Sequence, residues 1–336
     1  MAVSTVLALT MAGGIAAAAG AGAAEPRAAS GATMTIGYSA WPGWFPLLVG
    51  DQTGIFKKAG LNVKLKYFAN YTGSLDALSA GRLDANAQTL NDTMAAVAAG
   101  SKQTIVVTGD NSAGNDAVIC DKSVGNSIKD LKGKTIAAEE GVVDHYLLLQ
   151  GLESVGMTQS DIDFRGSPTD AAAGAFAGGQ FDCVAVFAPF TVQALTRPGS
   201  HVVFSSKDFP GAIPDHIVFS ASFVKAHPKD VQKFVNAWYK TLDYITANPA
   251  KSTAIMAKKA ELSTADYDSL AKGTKLFTAT EAVAAFTPGS SPASLQYEAK
   301  KINPFLVSSG LTKKQASLKG LFAPQFTKAY LKANAG

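Results

Sequence analysis

Large aromatic rings and carboxylates are the side chains in this sequence best suited to hold a small molecule. The segment SAWPGWFP, residues 39–46, puts Trp41, Trp44 and Phe45 into one turn of a chain that is only 9% aromatic. Ring faces attract a cation by ~0.5 to 2 kcal/mol, depending on its desolvation, and carboxylates bind one through charge-assisted hydrogen bonds. Acidic residues occur in other turns, at Asp92, Glu139, Glu140, Asp144 and Asp215. If these turns converge, they predict a site for a cation.

Catalytic chemistry finds no support in the sequence. The four histidines are His145, His201, His216 and His227, and they form no H-E-x-x-H pair. The two cysteines lack C-x-x-C spacing, and the sequence has neither a G-x-S-x-G elbow nor a phosphate-binding glycine loop. An S-x-x-K at residues 222–225 is a pattern that is common by chance. We therefore predict a binding protein that is not an enzyme and has no cofactor and no metal.

Composition and charge limit the class of protein. The chain has 336 residues, of which 47% are hydrophobic and 17% charged, so it buries a full core and is long enough for two lobes. Its net charge of +4 is small and its lysines are dispersed, so nucleic acid is not an expected partner. We expect a monomer that binds a small molecule.

Residues 1–30 predict an export signal. The segment has no charge before Glu25 and has small residues at Ala21 and Ala23, so cleavage is expected near Ala23 or Ala24. The positive charge usual at the start of such a signal is missing, which leaves the true start codon open. A membrane anchor is disfavoured because Ala and Gly gain little energy on transfer into hydrocarbon. The prediction is a soluble periplasmic protein.

The two cysteines, Cys120 and Cys183, each adjoin an apolar run. An isolated pair in an oxidising compartment can form a disulfide, but two separate buried cysteines explain the sequence equally well. Neither lies near the end of the export segment, where a lipid anchor would need one. The sequence leaves the pairing open.

Short β-like runs alternate with helix-like segments in the first two thirds of the chain. The runs are MTIGY, NVKLKYF, DANAQ, TIVVT, DAVIC, KTIAA, CVAVF, HVVFS and HIVFS. Helical stretches between them end at Gly81, Gly100 and Gly156. This alternation predicts an α/β fold with parallel-rich sheets covered by helices. Beyond Pro228 we predict helices alone, the first with an apolar stripe that makes Trp238 a core residue.

Four turns should line one edge of these sheets, because ligands in open α/β folds bind beyond the carboxyl ends of the strands. The turns are SAWPGWFP after MTIGY, TLNDT after DANAQ, EEGVVDHY after KTIAA and APF after CVAVF. Together with the acidic residue of GAIPDH they supply the predicted ligand residues: Trp41, Trp44, Phe45, Thr89, Asn91, Asp92, Glu139, Glu140, Asp144, Phe187 and Asp215.

These residues also have ordinary structural explanations. The two tryptophans could be core rings fixed by neighbouring prolines, and Asp92 could be a helix N-cap. Asp144 could stabilise the first turn of a helix, and Asp215 could form a salt contact at a hinge. Glu139 and Glu140 point in opposite directions if the strand continues through them, so only one of the two can face a cleft.

Longer segments of the sequence are similar to a known family. They are IGYSAWPGWFPLLVGDQTGIFKKAGLNVKLKYF, LDALSAGRLDA, LKGKTIAAEEGVVDHYLLLQGLESVGM and GQFDCVAVFAPF, which occur in this order over most of residues 34–250. In these segments the chain resembles the nitrate/sulfonate/taurine-type solute-binding proteins of ABC importers. The resemblance implies a two-lobed periplasmic-binding-protein fold of the Venus-flytrap type II class, with the membrane permease of an ABC importer as partner.

The resemblance also implies where the chain crosses between the lobes. The crossovers fall at NSAGND, residues 111–116, and at GAIPDH, residues 211–216. The first lobe then comprises residues 31–113 and 217–336, including the C-terminal helices. The second lobe comprises residues 114–216.

The charge of the predicted cleft departs from the family pattern. Family members that hold sulfonate or nitrate generally offer hydroxyls, amides and basic groups, whereas carboxylates would repel an anion strongly where solvent is excluded. A planar cation with N–H donors, such as guanidinium, suits rings and carboxylates together, and these loops look similar to a guanidine-associated branch of the family. The leading hypothesis is a receptor for a small nitrogenous cation. The alternatives are an oxyanion ligand (sulfonate, taurine or nitrate) and an enzyme resembling the thiamine-pyrimidine synthases, whose cysteine-rich motif is absent here.

Overall fold

The computed structural model describes residues 32–334. The predicted export segment and its cleavage site near Ala23 or Ala24 lie outside the described residues. The strands are β1 (Thr33–Tyr38), β2 (Asn62–Tyr67), β3 (Ala85–Thr89), β4 (Gln103–Ser112), β5 (Asp116–Cys120), β6 (Thr135–Ala138), β7 (Asp163–Gly166), β8 (Cys183–Phe187), β9 (His201–Ser205), β10 (Pro214–Ser220) and β11 (Thr274–Leu276).

Helices cover both faces of the sheets and form the C-terminal region. They are α1 (Pro46–Gln52), α2 (Ile55–Lys58), α3 (Tyr71–Ser79), α4 (Leu90–Ala99), α5 (Val143–Ser154), α6 (Thr169–Ala177), α7 (Phe190–Ala194), α8 (Ala221–Ala226), α9 (Pro228–Ala247), α10 (Pro249–Ala260), α11 (Thr264–Ala271), α12 (Ala279–Phe286), α13 (Leu295–Ser308) and α14 (Gln325–Asn334). Single 3-10 turns occur at Ile128–Leu131, Gln159–Asp161 and Ser206–Asp208. None of the helices in residues 32–334 has the length and apolar character that crossing a membrane requires.

Two sheets define two lobes. The first sheet has the strand order β11-β4-β10-β3-β1-β2, and the second has the order β7-β6-β8-β5-β9. Strand β1 runs parallel to β2 and β3, and β6 runs parallel to β7 and β8. The first lobe is built on the first sheet and the second lobe on the second.

Both sheets are mixed, because β5, β10 and the edge strand β11 run opposite to the other strands of their sheets. Strand β10 is antiparallel to β3 and β4, and β5 is antiparallel to β8 and β9. Each of β5 and β10 is the first strand that the chain forms after crossing between the lobes. It enters its sheet directly, without the helical crossover that a parallel connection requires.

The nine predicted runs are all strands, and two further strands were missed. Both β7 and β11 are short edge strands of four and three residues with charged side chains, DFRG and TKL. The expectation of helices alone beyond Pro228 is wrong at β11, which pairs with β4. The predicted stripe on α9 is confirmed, since Val231, Phe234 and Trp238 are fully buried. An added Cβ at Gly109 of β4 would come within 3.2 Å of the Trp238 ring, so sheet and helix pack closely there.

The chain crosses between the sheets twice. It leaves β4 after Ser112 and enters β5 at Asp116, and it returns after Ser206–Asp208 to enter β10 at Pro214. The two crossings are tied together, since the hydroxyls of Ser112 and Ser206 lie 2.7 Å apart. Residues 214–216, which the sequence assigned to the second lobe, are paired in the first sheet.

Cys120 and Cys183 form a disulfide. They lie directly opposite each other on the antiparallel strands β5 and β8. The structure therefore has a bridge where the sequence left open two separate buried cysteines.

Candidate functional site

A small cavity lies between the two lobes. The space in it that is open to the centre of a water-sized sphere is only about 10 Å³, so the lobes are nearly closed on it and it suits a solute of few atoms. The lining residues are Trp41, Trp44, Tyr71, Thr89 and Asp215 from the first lobe, Asp116, Val143 and Phe187 from the second, and Ile213 from the return crossing.

The reversed strands bring acidic residues to the edge where the parallel strands end. Asp215, near the start of β10, is paired with Thr89 at the end of β3. Asp116, at the start of β5, is paired with Phe187 at the end of β8. Each lobe thus contributes one carboxylate to the same cavity.

Four aromatic rings surround these carboxylates. The ring centroids of Trp44 and Tyr71 are 5.4 Å apart, and those of Trp41 and Trp44 are 6.4 Å apart. The ring of Phe187 in the second lobe contacts those of Trp41 and Tyr71, with centroid distances of 6.4 Å and 6.0 Å and interplanar angles of 78° and 79°. Edge-to-face contacts of this kind are favourable between aromatic rings. They close the cavity across the two lobes.

Hydrogen bonds and one glycine fix the turn that carries the tryptophans. The Trp41 Nε1 donates to Asp110 Oδ1 over 3.0 Å. A Cβ added at Gly43 would overlap the Asp110 carboxylate, so the turn approaches β4 closely only because residue 43 has no side chain. Tyr71 is fixed from the other side, since its hydroxyl oxygen accepts the backbone N–H of Thr89 over 3.1 Å.

The two cavity carboxylates are buried without full partners. Asp215 is 1% exposed and Asp116 is 2% exposed. Within residues 32–334, neither oxygen of Asp215 accepts a hydrogen bond of good geometry, although the Trp44 indole N–H, itself without an acceptor, is near enough to favour the ionised form, and Oδ2 of Asp116 accepts none. A buried carboxylate is costly unless a donor or a positive charge pairs with it. The nine lining residues, all in the described part of the chain, include no lysine or arginine.

Burial makes these acids weak. It raises the pKa of Asp116 to about 7, against a hydrogen bond from Ser112 that favours the ionised form. Burial also raises the pKa of Asp215 well above its usual range, and the charges of Asp110, Asp116 and Asp92 add to this effect. A cation in the cavity would reverse both effects, because an opposite charge favours ionisation.

The predicted ligand residues divide into two groups. Trp41, Trp44, Thr89, Phe187 and Asp215 line the cavity, as the positions of their turns suggested. The remaining residues lie elsewhere: Phe45, Asn91, Asp92, Glu139, Glu140 and Asp144 do not line it.

Helix geometry accounts for three of these departures. Phe45 immediately precedes α1, is fully buried, and stacks on Tyr267 with centroids 6.3 Å apart. Asp92 is not the N-cap of α4. The N-cap is Thr89. Its hydroxyl oxygen accepts the backbone N–H of Asp92, and its hydroxyl proton is donated to Asp92 Oδ2 over 2.8 Å. Asn91 donates to the other oxygen of Asp92.

The acidic residues of EEGVVDHY, residues 139–146, have different surroundings, and none of them lines the cavity. Glu139 is buried and accepts hydrogen bonds from Thr72 of the first lobe and Thr169 of the second. The Thr169 hydroxyl also lies within hydrogen-bond distance of Asp144 Oδ2, and its single proton serves either Glu139 or Asp144 at one time. Glu140 is exposed, and β6 ends at Ala138 before either glutamate, so the strand condition for only one of them to face the cleft is not met.

Sequence reasoning missed Tyr71, Asp116, Val143 and Ile213 as lining residues. Tyr71 follows the end of β2 and could have been found by the same rule as the other turns. Asp116 lies in the first predicted crossover, in which the sequence analysis assigned no ligand residue. Val143 and Ile213 have aliphatic side chains, from which a contact with a ligand could not be predicted.

Comparison with protein families matches residues 27–260 to the NMT1-like family. The chain belongs to this family. This NMT1-like protein is 28% identical over 246 residues to a Brucella abortus (strain 2308) protein provisionally described as a binding protein, covering 72% of this chain and 76% of that one. It is 23% identical over 202 residues to a Bacillus subtilis (strain 168) protein provisionally described as an aliphatic sulfonates-binding protein, covering 59% of this chain and 61% of the relative.

The NMT1-like protein has the fold of periplasmic binding proteins. The alkanesulfonate-binding protein SsuA from Xanthomonas axonopodis pv. citri bound to MOPS matches with a TM-score of 0.74 at 19% identity, over 88% of this chain and 99% of that one. A desulfurization enzyme shares the fold with a TM-score of 0.61 at 16% identity, over 90% of this chain and 99% of the enzyme. At such identities the likeness defines the fold, and the ligand has to be argued from the site.

Proposed function

We propose that this protein is the extracytoplasmic solute-binding receptor of an ABC importer, and that its ligand is a small planar cation with N–H donors, of which guanidinium is the simplest. The observation that carries the proposal is the pair of buried carboxylates, Asp116 and Asp215, which have unpaired oxygens and border a four-ring cavity. A family of binding proteins and a two-lobed fold support the receptor role.

The chemistry of a guanidinium group matches both kinds of side chain. Its flat face can lie on an indole, and its N–H edges can form paired hydrogen bonds with carboxylates. Asp116 and Asp215 come from different lobes, so one bound cation would attract both lobes at once. Ligand binding of this kind favours the closed form, because the open form offers only half of the contacts.

A second candidate ligand is an oxyanion such as a sulfonate. The names of the Bacillus and Xanthomonas relatives favour it. In this case Asp116 and Asp215 would have to be protonated and donate hydrogen bonds, which their raised pKa values allow at or below neutral pH. The two candidates therefore require opposite protonation states of the same residues.

Thermal melting of the purified protein with a panel of solutes tests the proposal. Guanidinium at submillimolar concentration should raise the Tm, since saturation at 100 times the Kd stabilises a protein by ~2.7 kcal/mol. Urea, which has a similar outline and no charge, is the matched control and should leave the Tm unchanged. A rise with taurine or nitrate instead of guanidinium would overturn the cation assignment, and turnover of any of these solutes would favour an enzyme.

A further inference from the structure

The Glu139 carboxylate joins the two lobes outside the cavity. Its Oε1 accepts the backbone N–H of Thr72 over 3.0 Å and also the Thr72 hydroxyl. Its Oε2 accepts the hydroxyl of Thr169 over 2.8 Å and the Thr169 N–H over 3.3 Å. Thr72 belongs to α3 of the first lobe, and Thr169 belongs to α6 of the second. One side chain, 4% exposed, thus spans the gap between the lobes.

Glu139 supplies acceptors that the N-termini of the two helices do not have from their own capping residues. The N-cap side chain of α3, Asn70, accepts the N–H of Gly73 and leaves that of Thr72 for another acceptor. The N-cap of α6 is Pro168, which makes no side-chain hydrogen bond to the helix. A carboxylate at a helix N-terminus is stabilised by the free N–H groups and the helix dipole, and here two helices point at one carboxylate.

The first-lobe end of this contact is adjacent to the cavity. Thr72 follows Tyr71, whose ring lines the cavity and meets Phe187 of the second lobe. Opening the lobes separates Thr72 from Glu139, which belongs to the second lobe. Glu139 itself does not line the cavity.

We propose that Glu139 is a clasp that holds the two lobes closed and thereby retains the solute without touching it. The clasp consists of Thr72, Glu139 and Thr169. It acts on the site of the proposed function, so the inference rests on that function for its effect on solute release. Its effect on lobe closure stands without any ligand.

The variant Glu139→Gln tests the clasp, with Glu140→Gln as the matched control. Both changes remove one charge at neighbouring positions, but Glu140 is exposed. Thr72→Val, made in the opposite lobe, removes the hydroxyl donor and leaves the second lobe unaltered. If the clasp is real, Thr72→Val should have little further effect in a Glu139→Gln background, because both changes break one interaction.

The first measurement is lobe closure in the ligand-free protein. A spin label is attached to the second lobe in the variant Lys129→Cys, and the paramagnetic relaxation enhancement of backbone amides in the first lobe is recorded. This method reports sparsely populated closed forms. Glu139→Gln and Thr72→Val should reduce the enhancement, and Glu140→Gln should not. Equal enhancement in all variants would overturn the clasp, whatever solute the protein binds.

Solute release is measured second, with guanidinium as the probe and stopped-flow tryptophan fluorescence as the signal. Glu139→Gln should raise the dissociation rate by about tenfold or more, as expected for weakened hydrogen bonds to a charged group, and leave the association rate nearly unchanged. A change confined to the Tm, with the same dissociation rate, would mean that Glu139 only stabilises the second lobe. If no variant binds guanidinium but the ligand-free closure still differs, the cation assignment fails and the clasp stands.

Discussion

Asp215 combines two properties that a purely structural residue would not keep. It is nearly fully buried, and within the described residues neither carboxylate oxygen accepts a hydrogen bond of good geometry, the Trp44 indole N–H being the one nearby donor. The neighbouring carboxylate of Asp110 faces it across β4 and β10, which adds repulsion. Such an arrangement lowers the stability of the ligand-free protein, and sites of this kind are typically retained for function.

The variant Asp215→Asn should separate function from stability. Because the unpaired carboxylate is lost, the Kd for guanidinium should rise by about 10- to 100-fold, the equivalent of one charge-assisted hydrogen bond. The ligand-free Tm should stay the same or rise, since an amide costs less to bury than an unpaired acid. Calorimetry and thermal melting measure the two quantities. Unchanged affinity in Asp215→Asn would show that this carboxylate does not contact the solute.

Two elements determine how the cavity is assembled, and the first is the antiparallel pair β5 and β8. One end of this pair carries Asp116 opposite Phe187, and the other carries the disulfide Cys120–Cys183. A cross-link between neighbouring strands fixes their register, and a slip by one residue would turn every side chain to the other face. The disulfide therefore secures the second-lobe half of the site.

Replacing both cysteines by serine should lower the free energy of unfolding by about 2 to 5 kcal/mol. The physical reason is that the bridge closes a long loop in the unfolded chain, since its two cysteines are 63 positions apart in the sequence. Urea unfolding followed by circular dichroism gives the difference. Reduction of the bridge in the parent protein should likewise lower the urea concentration at the unfolding midpoint. An unchanged midpoint after reduction would contradict this expectation.

The second element is the turn between β1 and α1, which depends on the close approach of Gly43 to Asp110. Gly43→Ala should displace the turn and with it Trp41, whose indole N–H donates to Asp110, so we expect weaker solute binding by about tenfold. Gly73→Ala is a suitable control, because an added Cβ there meets its neighbours at an ordinary 3.5 Å. Titration of tryptophan fluorescence gives both Kd values, and equal values would show that the turn tolerates a side chain.

The sequence was sufficient for nine of the eleven described strands and insufficient for the directions of the side chains. Val-, Ile- and Phe-rich runs identified nine strands, because such residues pack well in sheets. The position of Asp116 depended on the reversal of β5, which the regular β-then-α pattern did not indicate. Glu139 and Asp92 lie in the predicted turns, but their carboxylates bind hydroxyls and amides of the protein, and only the three-dimensional structure shows those partners.

At the scale of the whole molecule, buried acids from both lobes meet at the closure interface. Burial raises the pKa values of Asp92, Asp110 and Asp116 to about 7, and those of Asp144 and Asp215 rise well above the usual range. His216, next to Asp215 in the chain, has its pKa lowered by burial to about 3 and therefore stays neutral near pH 7. The charge of the interface near neutral pH is thus set by these carboxyl groups.

This arrangement makes solute binding depend on pH in a direction that identifies the charge of the ligand. A cation requires Asp116 and Asp215 in the ionised form, so its binding displaces protons and becomes tighter as the pH rises through about 7. For each proton displaced, the Kd falls by up to about tenfold per pH unit. An oxyanion requires the protonated forms, so its binding becomes weaker over the same range.

Isothermal titration calorimetry of the purified protein with guanidinium and with taurine, at pH 6 and at pH 8, tests the central claim most directly. We predict that guanidinium binds at both pH values with a lower Kd at pH 8, and that taurine gives no heat of binding. Binding of taurine that is tighter at pH 6, with no binding of guanidinium, would contradict the assignment of Asp116 and Asp215 to a cation site.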